Sequence, residues 1–182
     1  GRRSRWRATR ARSKTFGGRA IGAERAFGLV LRLMESGGQL VKSAAGVAGV
    51  AAGKGIGRSG VAKDATVIAV QVFHRQDNQA TCAAAKKPAP CAQTYASDYM
   101  LGLEHIYSLK GSFNIASANM SLGGDRYYSN CDSEKLGIKG IIDNLRSVGI
   151  ATVIASGNEH YKDSLASPAC ISTAISVGSS GF

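Results

Sequence analysis

From Ala65 onward, runs that are apolar at nearly every position alternate with stretches whose apolar residues recur every three or four. Thr66–Phe73 is β-branched and almost wholly apolar, the pattern of a strand buried on both faces. Tyr99, Leu103, Ile106 and Tyr107 share one helical face, and Ser97 or Asp98 can cap that helix. Asn114–Leu122 reads as the next strand. Ile138, Ile141, Ile142, Leu145 and Val148 again recur at helical spacing, with Asp132 or Ser133 as cap and Gly149 as stop. Ala151–Ala155 and Ile171–Val177 complete the series as strands. Upstream, Leu40–Ala52 is small and apolar, the pattern of a buried helix, and Gly53–Gly60 is a glycine-rich loop. Strands alternating with helices predict an α/β fold: a parallel sheet flanked by helices on both faces, with right-handed crossovers. Ligands of such sheets sit at the carboxyl ends of the strands.

Charge divides the chain in two. Residues 1–43 hold 11 Lys/Arg against Glu24 and Glu35, a net charge of +9, whereas residues 44–182 carry only +2 of the total +11. The basic excess therefore belongs to a tail rich in Arg, Gly, Ala and Ser, not to the regular part. Residues 1–43 read as a basic, low-complexity segment, disordered or translated out of frame. Residues 44–182 are long enough for the central part of one α/β domain. The chain begins without Met and stops at Phe182 just after a strand-like run, so it reads as a partial domain. No apolar stretch approaches the roughly 20 residues of a membrane span. Ala26–Met34, broken by Arg32, is a poor signal-peptide core.

Cys82, Cys91, Cys131 and Cys170 all lie in the second part, and none forms a Cys-x-x-Cys pair. An even count in loop-like settings points to disulfides and an oxidising, extracytoplasmic compartment. Cys82–Cys91 would close the Pro-containing loop, and Cys131–Cys170 would tie a helix start to a later loop. Three pairings remain open on sequence alone, as does burial of free thiols.

The chemistry-bearing stretches are Asn119-Met120-Ser121-Leu122-Gly123-Gly124 and Ala155-Ser156-Gly157-Asn158. Each ends an apolar β-type run and exposes backbone with small side chains. Together with Val47-Ala48-Gly49, Gly60–Ala65, Ile68–Val72 and Ser167-Pro168-Ala169, they resemble the subtilisin-like serine proteases in order and spacing over about residues 46–180. The resemblance implies that Ser121, Leu122 and Gly123 form an extended edge that pairs with a polypeptide substrate or inhibitor as an added strand does. Ala155, Ser156 and Gly157 would form the facing pocket wall. Asn158 would aim its amide N–H at the oxyanion of the tetrahedral intermediate; losing such a donor costs about 10²–10³ in rate, a magnitude measured on subtilisin itself. The resemblance further implies a secreted monomer.

The catalytic triad is another matter. The mechanism needs a serine nucleophile, a histidine base and an orienting aspartate. Where the family has His-Gly-Thr-His-Val-Ala-Gly, this chain has Ser43-Ala44-Ala45-Gly46-Val47-Ala48-Gly49, so Ser43 occupies the position of the base. No Asp precedes Asp64, and no strand of the expected kind leads to one. The Gly-Thr-Ser-Met-type nucleophile motif does not occur within the 182 residues. His74, His105 and His160 are the only histidines and read as loop or surface residues. As printed, the chain is expected to be an inactive fragment of a serine endopeptidase. The alternatives are a non-catalytic peptide binder, or nucleic-acid or membrane binding through the Arg-rich tail.

Other patterns carry less. Gly55-Ile56-Gly57-Arg58-Ser59-Gly60 fits a dinucleotide fingerprint but precedes a strand instead of linking strand to helix. Asn119-Met120-Ser121 matches a glycosylation acceptor inside an expected buried strand. No cofactor or metal is called for: the Gly53–Gly60 loop has no acid. A shifted reading frame in a GC-rich gene would produce the composition of residues 1–43. Translating the upstream nucleotides in the other two frames should then reveal an Asp-bearing strand and a His-Gly-Thr-His motif; their absence would sink the idea.

Overall fold

A computed structural model of the chain describes residues 26–30, 46–55, 57 and 59–179. In chain order its elements begin with β1 (Ala26–Val30), a helix over residues 46–52 (α1) and β2 (Thr66–Ala69). A small excursion follows: β3 (His74–Gln76), α2 (Gln79–Ala84) and β4 (Cys91–Gln93). Then come α3 (Ala96–Ser108), β5 (Ile115–Met120), β6 (Arg126–Tyr127) and α4 (Leu136–Ser147). The last elements are β7 (Ala151–Ala155), β8 (Leu165–Ala166) and β9 (Ile175–Val177).

Among the described residues, β2, β1, β5, β7 and β9 form the main sheet in that order, every pair parallel. Parallel neighbours need long crossovers, and α3 and α4 lie in two of them. The order decides where a ligand can sit. From β1 the chain steps outward to β2, then returns past β1 to β5 and continues the other way to β7 and β9. The direction of winding therefore switches between β1 and β5, and a crevice opens at the carboxyl ends of strands at such a point.

The main elements match the expected α/β fold, with differences that have physical causes. Strand β1 was not legible as part of the sheet. Ala26–Val30 is a five-residue run between Arg25 and Arg32, and it becomes a strand only because its backbone pairs with β2 on one side and β5 on the other. A strand thus stands before Thr66 in the sheet, and its sequence, Ala-Phe-Gly-Leu-Val, carries no aspartate. Of the helix expected at Leu40–Ala52, residues 46–52 are described, and they are not buried: Val50 is 71% exposed. Residues 40–45, and Ser43 with them, lie outside the described residues. The glycine-rich loop folds back on α1, the N–H groups of Gly53, Val61 and Ala62 donating to the carbonyls of Gly49, Val50 and Ala51.

The core forms where α3 and α4 pack together against the sheet. Leu103 and Ile106 of α3, Ile142 and Leu145 of α4, Met120 of β5 and Ile154 of β7 are fully buried. Each such side chain contributes about 1.5–3 kcal/mol by leaving water. Gly149, at φ 80°, ends α4 as expected, its N–H donating to the Arg146 carbonyl. Val148 falls outside the helix and is half exposed.

Two disulfides form, Cys82–Cys91 in the small excursion and Cys131–Cys170 across 39 residues. The second explains why neither Asp132 nor Ser133 caps α4. With Cys131 fixed beside Cys170, the Asp132 carboxylate instead accepts the Ser172 N–H (2.9 Å) and hydroxyl (2.5 Å). About two helical turns into α4, Asp143 accepts from Lys139 Nζ (2.7 Å) and from the Thr173 hydroxyl (2.6 Å). The turn after Cys170 is therefore held by two carboxylates, one just before α4 and one on it, and the final strand begins only at Ile175, not at Ile171. The Ser172 hydrogen bonds lower the pKa of Asp132, and those from Lys139 and Thr173 lower that of Asp143, relative to an ordinary value of 3.8. A depressed folded-state pKa stabilises above the unfolded value and is lost as pH falls through the folded one. The thermal midpoint should therefore be flat near neutrality and fall on acidification below the ordinary carboxylate range. Asp132→Asn with Asp143→Asn should lower the midpoint at neutral pH and flatten that acid limb; an unchanged acid slope in the double variant would count against these two ties.

Candidate active-site cleft

Strands β5 and β7 are neighbours in the sheet and point the same way, so the residues that follow them emerge side by side. Beyond Met120 the chain stays extended. Ser121 is exposed and its hydroxyl accepts from the Asn119 side-chain amide (3.1 Å), while Leu122 packs against the core. Beyond Ala155, Gly157 takes φ 124°, a left-handed backbone that a side chain would strain. Asn158 follows on an exposed turn, its backbone N–H donating to the carboxylate of Glu159 (2.8 Å).

A third segment joins the two. Strand β8 pairs antiparallel with β6, Ala166 opposite Arg126. The Ala166 N–H donates to the Ser156 carbonyl (2.9 Å), and the Gly124 N–H donates to the Ser167 carbonyl (2.8 Å). Ser167 in turn donates its N–H to the Asp125 carbonyl (2.7 Å), and Ser156 donates to the Val177 carbonyl of β9 (2.9 Å). The buried Ala166 methyl is consequently trapped between two glycines. A Cβ on Gly123 would stand 3.2 Å from it, and one on Gly157 would stand 3.1 Å from it and 2.7 Å from a Glu159 carboxylate oxygen. Close approach and a left-handed backbone favour glycine at 157, and at 123 a side chain would crowd the Ala166 methyl. The Ser121–Gly123 and Ala155–Gly157 stretches therefore lie on either side of the fully buried Ala166, whose methyl packs between Gly123 and Gly157.

Ser121, Leu122, Gly123, Ala155, Ser156, Gly157 and Asn158 thus lie beyond the carboxyl ends of the neighbouring strands β5 and β7, beside the switch between β1 and β5. Ala166 and Glu159 were missed by sequence reading. Ser167-Pro168-Ala169 was a signal for the neighbourhood, but nothing in the sequence says that Ala166 faces two glycines 43 and 9 residues away. Of the histidines, His74 stacks on Tyr95 (5.2 Å between ring centroids) in the small excursion, and His160 sits two residues past Asn158 with φ 58°. Among the described residues no group of His, Cys, Asp and Glu could hold a metal ion, and no helix is long and apolar enough to cross a membrane.

Comparison with known proteins agrees with this geometry. The family model of the subtilase family matches residues 44–181. No curated protein sequence matches the chain. Among solved structures, a protease from Pseudoalteromonas arctica PAMC 21717 is similar at 28% identity and TM-score 0.52, over 74% of this chain and 36% of that one. Sphericase is similar at 24% identity and TM-score 0.52, over 71% and 37%. The prenylagaramide maturation protease PagA shares the fold at 13% identity and TM-score 0.57, over 84% and 52%. The chain spans at most about half the length of these solved structures. With three-quarters of its residues inside one family's pattern, the chain belongs to the subtilase family.

Proposed function

We propose that these residues are the peptide-binding half of a serine endopeptidase cleft, and that residues 1–182 by themselves bind an extended peptide without cutting it. The observation that carries the reading is that Ser121–Gly123 and Ala155–Asn158 emerge side by side beyond the parallel strands β5 and β7 and are tied together by the backbone of residues 166 and 167. Two such exposed stretches offer main-chain groups to an extended peptide laid between them. Ser121–Gly123 pairs with the substrate backbone as an added strand. Ala155–Gly157 faces it, and the Asn158 side-chain amide stabilises the oxyanion that forms at the scissile carbonyl.

Proton transfer is what the chain cannot supply from the expected positions. Ser43 stands where the family has its base, and a hydroxyl does not take up a proton near neutral pH. The sheet strand β1 reaches the carboxyl-end crevice beside β5 without an acid in its sequence. Two disulfides support a secreted or otherwise extracytoplasmic setting, since such bonds persist in oxidising compartments. The partner is a polypeptide in extended conformation, and the chain acts as a monomer.

Fluorescein-labelled tetrapeptides that differ in their last side chain test this by anisotropy titration, with p-nitroanilide release as the cleavage assay. Saturable binding without release is expected. Ser121→Pro, which removes a backbone N–H from the proposed pairing edge, should lower affinity for every tetrapeptide by about 2–10-fold. Absence of saturable binding would refute the cleft, and release above background would refute inertness.

A further inference from the structure

Seven residues, 158–164, connect the Asn158 position to β8, and one side chain from outside holds them. Arg126 lies on β6, where its backbone pairs with Ala166. Its guanidinium donates from Nη2 to Asp163 (2.7 Å) and from Nε to the Ser164 hydroxyl (2.8 Å). The same group lies 4.2 Å from the Tyr161 ring centroid and 4.5 Å from that of Tyr128. One edge of the planar cation is therefore hydrogen-bonded and two rings lie against it, three of the four contacts being with the 158–164 loop. The loop needs such a tie: His160 is a non-glycine residue at φ 58°, a sparsely populated backbone state that persists only when its surroundings impose it. Asp163 is held below its ordinary pKa chiefly by the hydrogen bond from Arg126, in keeping with a formed ion pair.

We propose that Arg126 is the positioning residue of the Asn158 loop, fixing by its side chain where Asn158 stands while its own backbone pairs with Ala166. One residue would then set the distance between the 165–167 segment and the oxyanion donor. Lysine cannot replace it, because an ammonium has neither the planar fork for Asp163 and Ser164 nor flat faces for the two rings. The geometric part stands alone; its effect on ligand rests on the cleft reading above.

The test compares the full 182-residue chain with Arg126→Ala, Arg126→Lys and the milder Asp163→Asn. Amide hydrogen exchange is read residue by residue, alongside the thermal midpoint and the tetrapeptide titration. Arg126→Ala should speed exchange at 158–164 by about fivefold or more, leave β5, β7 and α4 unchanged, and weaken peptide binding by a similar factor. Arg126→Lys should recover little of either, and Asp163→Asn should give a smaller change in the same amides. Wild-type exchange in the loop of the alanine variant overturns the proposal, and so does a loosened loop with unchanged peptide affinity. If the unmutated chain binds no peptide, the cleft reading fails, while loop exchange in the same three variants still decides whether Arg126 holds the loop. Global unfolding of the alanine variant leaves the decision to Asp163→Asn, whose loop exchange must rise for the proposal to stand.

Discussion

The backbone hydrogen bonds of the 165–167 segment hold the site together. Ala166 donates to Ser156, Ser167 accepts from Gly124, and Ser167 donates to Asp125. Strands β5 and β7 already bring Met120 and Ala155 near each other, but a sheet fixes its own strands, not the loops beyond them. Those loops would each be free to leave the strand ends. The 165–167 segment behaves as a short third strand that ties both, and it does so through main-chain groups whose positions no side-chain substitution alters directly. Because both loops approach the Ala166 methyl this closely, a Cβ on Gly123 would crowd it, and one on Gly157 would meet both it and the Glu159 carboxylate.

That segment must itself be anchored, and its anchor is the buried turn that follows. Ala169, Cys170 and Ile171 are buried against the core, and the Cys131–Cys170 disulfide joins the turn to the start of α4. In the chain-entropy account, closing a loop of that length restricts the unfolded state by about 4 kcal/mol. Asp132 and Asp143 add charge-assisted hydrogen bonds to Ser172 and Thr173. The chain of constraint thus runs from a helix core through a covalent bond to a backbone strand, and from there to the cleft. The rigid parts lie in the sheet and helices, while exposed side chains at Asn158 and Glu159 remain for ligand.

Much of this was legible in residue order. The 3.6-residue spacing of Ile138, Ile141, Ile142 and Leu145 identified α4 because a helix must hide one face, and all four are buried. Gly149 marked its end because only a left-handed residue closes a helix in that way. Both disulfides follow the one pairing described from the sequence, although nothing local selected it from three. Strand β1 was not legible: five residues near two arginines have no periodicity to read, and their strand identity comes from partners 40 to 90 residues away. Asp132 and Ser133 satisfied every local rule for a cap, yet the disulfide moved Asp132 to a tertiary partner.

The sequence by itself determined the α/β class, the two helices of the core and the two small-residue stretches that follow β5 and β7. These depend on hydrophobic spacing and on small residues at strand ends, properties that are local along the chain. Tertiary structure alone decided that β1 stands between β2 and β5, that Ala166 packs between Gly123 and Gly157 and that Arg126 grips the loop behind Asn158. Each of these is a contact between segments far apart in sequence, chosen by strand pairing, close packing and the reach of one planar cation, none of which leaves a periodic trace in residue order.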